Sequence, residues 1–266
     1  MAMSKTQADR LGARLKDDRA TQEDLRLLDE YRRSFSPAYE SVIATLSGEL
    51  GMQPTGRPAK STTSITEKLK RESIRLTQIQ DIAGCRVTVG TTPEQEQAIA
   101  DLARVFPTAT VVDRRTSPSH GYRAVHVIVE VQGRPIEVQL RTSLQHLWAE
   151  LSEKCSDVFD PAIKYGSGNE KLLAALASAS RSIAQLEEDE MALEMFEART
   201  SRVEATLDAN SLPEEAAATL LNHKETLRTR REGVQKRTEM LRDAIETAIT
   251  DLARMSGEND DIPDSV

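Results

Sequence analysis

The stretch YRAVHVIVEVQGRPIEVQLRT, residues 122–142, decides the fold. Two runs rich in β-branched residues, 122–131 and 135–142, flank Gln132-Gly133-Arg134, which predicts a β-hairpin. In the second run Ile136, Val138 and Leu140 alternate with Glu137, Gln139 and Arg141. A strand turns successive side chains to opposite faces, so the acid, the amide and the guanidinium project together, away from the apolar face. Upstream, residues 85–89 and 110–113 read as two more strands. Between them Thr92-Pro93-Glu94, an N-cap followed by Pro at the first helical position, opens a helix through Ile99, Leu102 and Val105. Downstream a helix runs through Leu144, Leu147, Trp148 and Leu151. Strands interleaved with helices predict an α+β unit with a mixed sheet.

On the N-terminal side, the segment to about Met52 reads as two helices. The first carries Leu11, Leu15, Leu25 and Leu28, and the second starts at Ser36-Pro37 with Tyr39, Val42, Ile43 and Leu46 on one face. Residues 51–58, with two Gly and two Pro, read as a loop, and residues 64–75 as a helix with Ile65 and Leu69 inward. After the break at residues 165–168 everything reads as helix. Leu172, Leu176, Ile183, Leu186 and Leu193 mark one segment, and Ser211-Leu212-Pro213-Glu214 is a start signal for another. There Leu220, Leu227, Val234, Leu241, Ala248 and Met255 recur every seven residues, but the second seam fills only at Ile245 and Leu252. That pattern predicts a helical hairpin rather than a long coiled coil. The expected organisation is N-terminal helices (1–56), an α+β core (57–165), a helical extension (170–255) and a disordered acidic tail (256–266).

The composition fits this plan. Of 266 residues, 38% are hydrophobic, enough for a packed core, which excludes wholesale disorder. The two cysteines, Cys85 and Cys155, lack metal-ligand spacing, which argues against a disulfide scaffold or a zinc module and for a reducing cytoplasm. The longest apolar stretch, residues 124–131, is too short to span a bilayer, and residues 1–19 do not read as a secretory signal. A soluble protein with no membrane partner is expected. The net charge of −8 is uneven: residues 57–141 carry +4, while residues 170–266 carry −9. A basic middle in an acidic chain points to an anionic ligand bound locally, not to DNA.

Three groups of residues in that basic middle carry candidate chemistry. Arg57, Lys60 and Lys68, with the hydroxyls of residues 61–64 at a helix start, can hold a polyphosphate, although no Walker glycine loop precedes the lysine. Asp81, just before a strand, and Glu137, on the polar face of the hairpin, can hold Mg²⁺ against phosphates. Glu137 could also take a proton from an attacking hydroxyl. Tyr122, after Gly121 at a loop-to-strand junction, can offer a flat face to a nucleobase.

Together these segments resemble the synthetase domain of the RelA/SpoT superfamily, the alarmone synthetases. The resemblance spans roughly residues 30–165. It rests on Lys60, Ser64 and Lys68, on residues 81–86 (DIAGCR), 121–126 (GYRAVH) and 137–142 (EVQLRT), and on the helix around residues 148–154. One departure is that Arg57 lies three residues before Lys60, where the family places its first Arg two before, a position filled here by Pro58.

The resemblance implies a nucleotidyltransferase-like sheet of about five strands flanked by helices. The implied reaction is transfer of the β,γ-diphosphate of ATP to a ribose 3′-hydroxyl, with release of AMP. On that reading Arg57 and Arg86 flank the adenine, while Lys60, Ser64 and Lys68 hold the ATP phosphates. Asp81 and Glu137 are catalytic and bind the Mg²⁺ cofactor. Tyr122, Arg123, His126, Gln139, Arg141 and Lys154 serve the acceptor. The segment 113–120 (DRRTSPSH) and the residues Ala124-Val125-His126 are closer in style to the toxic small alarmone synthetases of toxin–antitoxin systems. That likeness ranks the 3′-CCA end of tRNA first as acceptor and implies an antitoxin partner. The alternative acceptor is GDP or GTP, giving (p)ppGpp, and a third reading is an inactive RNA-binding regulator that keeps the fold.

Overall fold

The computed structural model describes residues 3–206 and 214–257. The helices α1 (Lys5–Lys16), α2 (Gln22–Arg33) and α3 (Ser36–Gly48) lead into β1 (Thr55–Arg57), α4 (Thr62–Glu72), β2 (Ala83–Val89), α5 (Thr92–Val105) and β3 (Thr110–Asp113). The hairpin β4 (Val125–Val131) and β5 (Arg134–Thr142) follows, and then α6 (Ser143–Val158), α7 (Glu170–Thr206) and α8 (Glu214–Met255). The five strands form one mixed sheet in the order β1-β2-β5-β4-β3. Among the described residues no helix is long and apolar enough to cross a membrane.

The chain divides into two compact units. The first comprises Met1–Thr88, Gln97–Asp113 and Ala124–Arg141. Its core is built on the predicted alternation: Val125, Val127 and Val129 of β4 and Ile136, Val138 and Leu140 of β5 are fully buried. In the hairpin, Val127 pairs with Val138 and His126 with Gln139. Arg134 at the hairpin turn stacks over Phe35 and Tyr31, its guanidinium carbon 4.9 and 5.4 Å from the ring centroids.

Three local expectations are corrected by the structure. The first predicted helix is two, because Asp18 takes a positive φ of 55° and Thr21 restarts the chain with a capping box to Asp24. Residues 55–57 of the expected loop form the edge strand β1, antiparallel to β2, with Gly56 opposite Cys85. A Cβ at Gly56 would stand 2.5 Å from the Gly84 carbonyl oxygen, so glycine is what admits the pairing. The strand expected from Tyr122 begins at Val125, because residues 119–122 form a tight turn closed by Tyr122 N–H donating to Ser119 O at 2.9 Å.

The second unit comprises Val89–Glu96, Arg114–Arg123 and Thr142–Val266. Here α6 packs on α7 and α8, and α7 packs on α8, the predicted helical hairpin. Trp148 of α6, Leu176, Ile183 and Leu193 of α7, and Leu227, Val234, Ile245 and Leu252 of α8 form one buried cluster. The seven-residue seam is thus buried at Leu227 and Val234 and handed to Ile245 and Leu252 further along, while Met255 is exposed. Residues 211–213 of the expected start signal, and 258–266 of the expected acidic tail, lie outside the described residues.

Because α6 shares its core with α7 and α8, truncation after Gly168 would expose Trp148 and Leu144, which are 4% and 6% exposed in the full chain. The truncated protein is expected to be insoluble or to lose cooperative unfolding in a denaturant titration. A soluble truncation with the full chain's unfolding midpoint would contradict a shared core.

Candidate active site

The charged groups of the first unit are set by strand register. Lys60 lies just past β1, and its backbone N–H donates to the Ile82 carbonyl at 2.6 Å, continuing the contact between this segment and the approach to β2. That bond brings the Lys60 side chain to Asp81, Nζ to Oδ2 at 2.5 Å. The second ammonium comes from α4. Ser61 caps that helix by accepting the Ser64 N–H, which leaves Ser64 in the first turn and Lys68 one turn further on. Lys68 Nζ reaches Asp81 Oδ1 at 3.0 Å. Burial pushes the Asp81 carboxyl up, but the charges and hydrogen bonds of Lys60 and Lys68 outweigh it and hold Asp81 below the ordinary carboxylate value.

Glu137 sits on the polar face of β5. His126 of β4 meets it diagonally across the hairpin, Nδ1 to Oε1 at 2.8 Å. Gln139 donates to Glu137 Oε2 at 2.7 Å, and Arg141 donates to Gln139 Oε1 at 2.9 Å. Burial again opposes ionisation, and the negative charge of Asp81 opposes it further. The hydrogen bond and charge of His126, together with the Gln139 amide, win and hold Glu137 below its ordinary value. Both carboxylates are therefore kept charged within the sheet unit.

Gly84 of β2 lies beside Glu137: a Cβ there would stand 2.8 Å from the Glu137 carbonyl oxygen and 3.4 Å from its Cβ. In β1, Arg57 pairs with Gly84 and Thr55 with Arg86, so Arg57 and Arg86 share the face that Gly84 leaves open. The first unit thus joins Lys60, Lys68 and Asp81 by ion pairs and His126, Glu137, Gln139 and Arg141 by hydrogen bonds, while Arg57 and Arg86 share one strand face and Ser64 stands in the first turn of α4.

The three remaining candidates, Tyr122, Arg123 and Lys154, belong to the second unit. Tyr122 is half-buried and packs on the α6–α7–α8 cluster, and Lys154 is half-buried on α6. Arg123 is engaged by its own unit. It donates to Glu187 Oε2 at 2.9 Å and to the Arg115 carbonyl at 2.8 Å. Sequence reading missed Glu187 and Ser180 of α7, which bind this segment. The signal was available, since both fall on the stripe that carries Leu176 and Ile183.

The donor set suits Mg²⁺. Among the described residues no group of three or more His, Cys, Asp or Glu could hold a metal on its own. Two carboxylates that take the ion together with substrate phosphates are the usual Mg²⁺ arrangement. Asp81 and Glu137 are two carboxylates of the same unit.

The family model described as "Region found in RelA / SpoT proteins" matches residues 56–156. The chain is 34% identical over 161 residues to the uncharacterized protein Rv1366 of Mycobacterium tuberculosis, covering 54% of this chain and 59% of that protein. It is also 33% identical over 95 residues to the probable GTP diphosphokinase RSH2, chloroplastic, of Oryza sativa, covering 34% of this chain and 13% of that protein. Among solved structures, small alarmone synthetase 1 from Bacillus subtilis is similar at 25% identity and a TM-score of 0.48, covering 69% of this chain and all of that one.

The depressed carboxyls make a prediction about acid. A folded-state pKa below the unfolded value means that the folded protein binds fewer protons there. The stability that Asp81 and Glu137 add is whole above the ordinary carboxylate range and is lost as pH falls through their folded values. Asp81→Asn is therefore expected to flatten the acid limb of a stability-versus-pH curve below about pH 5. An unchanged slope in that range would refute the assignment.

Proposed function

We propose that the RelA/SpoT region at residues 56–156 makes this chain a diphosphotransferase, which moves the β,γ-diphosphate of ATP to a ribose 3′-hydroxyl and releases AMP. The observation that carries the reading is a pair of carboxylates, Asp81 and Glu137, set against Lys60, Lys68 and His126 on one sheet unit. In such phosphoryl chemistry positioning and charge neutralisation supply most of the catalysis.

Arg57 and Arg86 hold the adenine, and Lys60, Ser64 and Lys68 hold the phosphates. Mg²⁺, when bound at Asp81 and Glu137, supplies positive charge to the oxygens of the transferring group. The acceptor oxygen attacks the β-phosphorus, the bond from that phosphorus to the α-phosphate oxygen breaks, and AMP leaves. Glu137 receives the hydroxyl proton, with His126 and Gln139 fixing its carboxylate. Tyr122 stacks on the acceptor base.

The style of residues 113–126 favours the 3′-CCA end of tRNA as acceptor, in a translation-blocking toxin restrained by an antitoxin in the cytoplasm. A second reading, GDP or GTP as acceptor, is favoured by the match to the rice protein named a GTP diphosphokinase. Incubation with γ-³²P-ATP and either deacylated tRNA or GDP separates the two: label in tRNA alone supports the first, and label in guanine nucleotide alone replaces it. Glu137→Gln is expected to lower transfer by about 10²–10⁴-fold while leaving the unfolding midpoint near that of the parent. Full activity in that variant would dismiss the proposed site.

Tyr122→Ala is expected to cost about 1–3 kcal/mol of acceptor binding, the worth of a base–aromatic stack. ATP affinity should change far less. Equal weakening of both ligands in a titration would refute this division of labour.

A further inference from the structure

The segment that carries Tyr122 is gripped from α7, a helix outside the matched region. Ser180 Oγ donates to the Gly121 carbonyl at 2.7 Å. Seven residues on, two turns along the same helix face, Glu187 Oε2 accepts from Arg123 Nε at 3.3 Å and Nη2 at 2.9 Å. Tyr122 therefore stands between two residues that are each tied to α7.

The grip is buried. The Arg123 and Glu187 side chains are 14% and 8% exposed. The other Glu187 oxygen accepts from Thr142 Oγ1 at 3.2 Å and from the Gln145 amide, at the N-terminus of α6. The Arg123 guanidinium also donates to the Arg115 carbonyl, and Arg115 donates to Gln95 at 3.0 Å and pairs with Glu96 at 2.6 Å. Below the turn, Gly121 at φ +90° packs against Trp148, where a Cβ would stand 2.7 Å from the indole.

A carboxylate buried on four donors from Arg123, Thr142 and Gln145 does more than solvate a helix face. It fixes where one arginine goes, and with it the direction of the preceding residue. None of these contacts involves Lys60, Lys68 or Asp81.

We propose that Ser180 and Glu187 are positioning residues for the acceptor: through Gly121 and Arg123 they hold the Tyr122 ring in its stacking orientation, so α7 controls acceptor binding and not ATP binding. Arg123 then acts as the anchor of this segment rather than as an acceptor ligand. The inference rests on the proposed reaction for its substrate, but the clamp itself can be tested without it.

The test uses the full chain with Ser180→Ala and Glu187→Gln made separately. KM is measured for ATP and for whichever acceptor, GDP or deacylated tRNA, takes the label, and amide hydrogen exchange is followed over residues 119–123. Each variant is expected to raise the acceptor KM about tenfold, the equivalent of one hydrogen bond to a fixed group, with the ATP KM within about twofold. Exchange should quicken at residues 119–123 and stay as in the parent at residues 125–142. A general loss of structure would instead raise exchange in both segments or shift both KM values together, and either result overturns the proposal. So does an acceptor KM that stays at the parent value in Ser180→Ala, the variant that removes a single hydroxyl and decides the matter if Glu187→Gln does not fold. If the parent protein labels neither acceptor, the proposed reaction fails, and unchanged exchange at residues 119–123 is then what would refute the clamp.

Discussion

Three strand backbones close up at Gly56 and Gly84, and the charged groups of the sheet unit take their places from that approach. At Gly56 a side chain would meet the backbone of β2, and at Gly84 it would meet the backbone of β5 beside Glu137. Without the first glycine, β1 has no seat on the edge of β2, and the short path from β1 to Lys60 no longer ends at Asp81. Without the second, β2 cannot lie against β5 at the level of Glu137. A side chain at either position forces a backbone to shift, and a shift of an ångström is large on the scale of a 2.5–3.0 Å ion pair. The geometry around the two carboxylates is thus a property of backbone packing before it is one of charge.

Charge then acts on what the packing has assembled. Two carboxylates that sense one another resist ionisation, as the opposing effect of Asp81 on Glu137 records. Lys60, Lys68 and His126 reverse that resistance. The lysines that keep Asp81 charged also belong to the basic middle that this chain of net charge −8 carries. The acidity of the C-terminal helices is spent differently. Asp189 pairs with Arg237, Glu190 accepts the Thr92 N–H, and Glu187 holds Arg123, so much of the run at residues 187–190 is internal wiring of the second unit.

The hairpin was legible because alternation over residues 135–142 has one physical reading, and the face shared by Glu137, Gln139 and Arg141 followed from the pleat alone. The start of α4, with Ser64 and Lys68 one turn apart, was legible from its cap. The strand β1 was not: it is three residues long, sits between Pro54 and Pro58, and owes its existence to a neighbour thirty residues away. The division of α1 from α2 was missed because leucine spacing carries on across Asp17–Thr21, while the break depends on one positive φ at Asp18. The partner of Arg123 lies sixty-four residues downstream. Nothing in the spacing around Arg123 announces it, and only a polar residue on an otherwise apolar helix stripe marks the other end.

Trp148 is the sole tryptophan of the chain. Its Nε1–H donates to the Leu176 carbonyl at 2.8 Å, and its ring lies against the backbone of Gly121, next to Tyr122. The protein therefore carries a built-in fluorophore at the foot of its own turn. Emission excited at the red edge comes from one ring in one environment, so its wavelength, lifetime and accessibility to quenchers read the state of residues 119–123 without a label being attached.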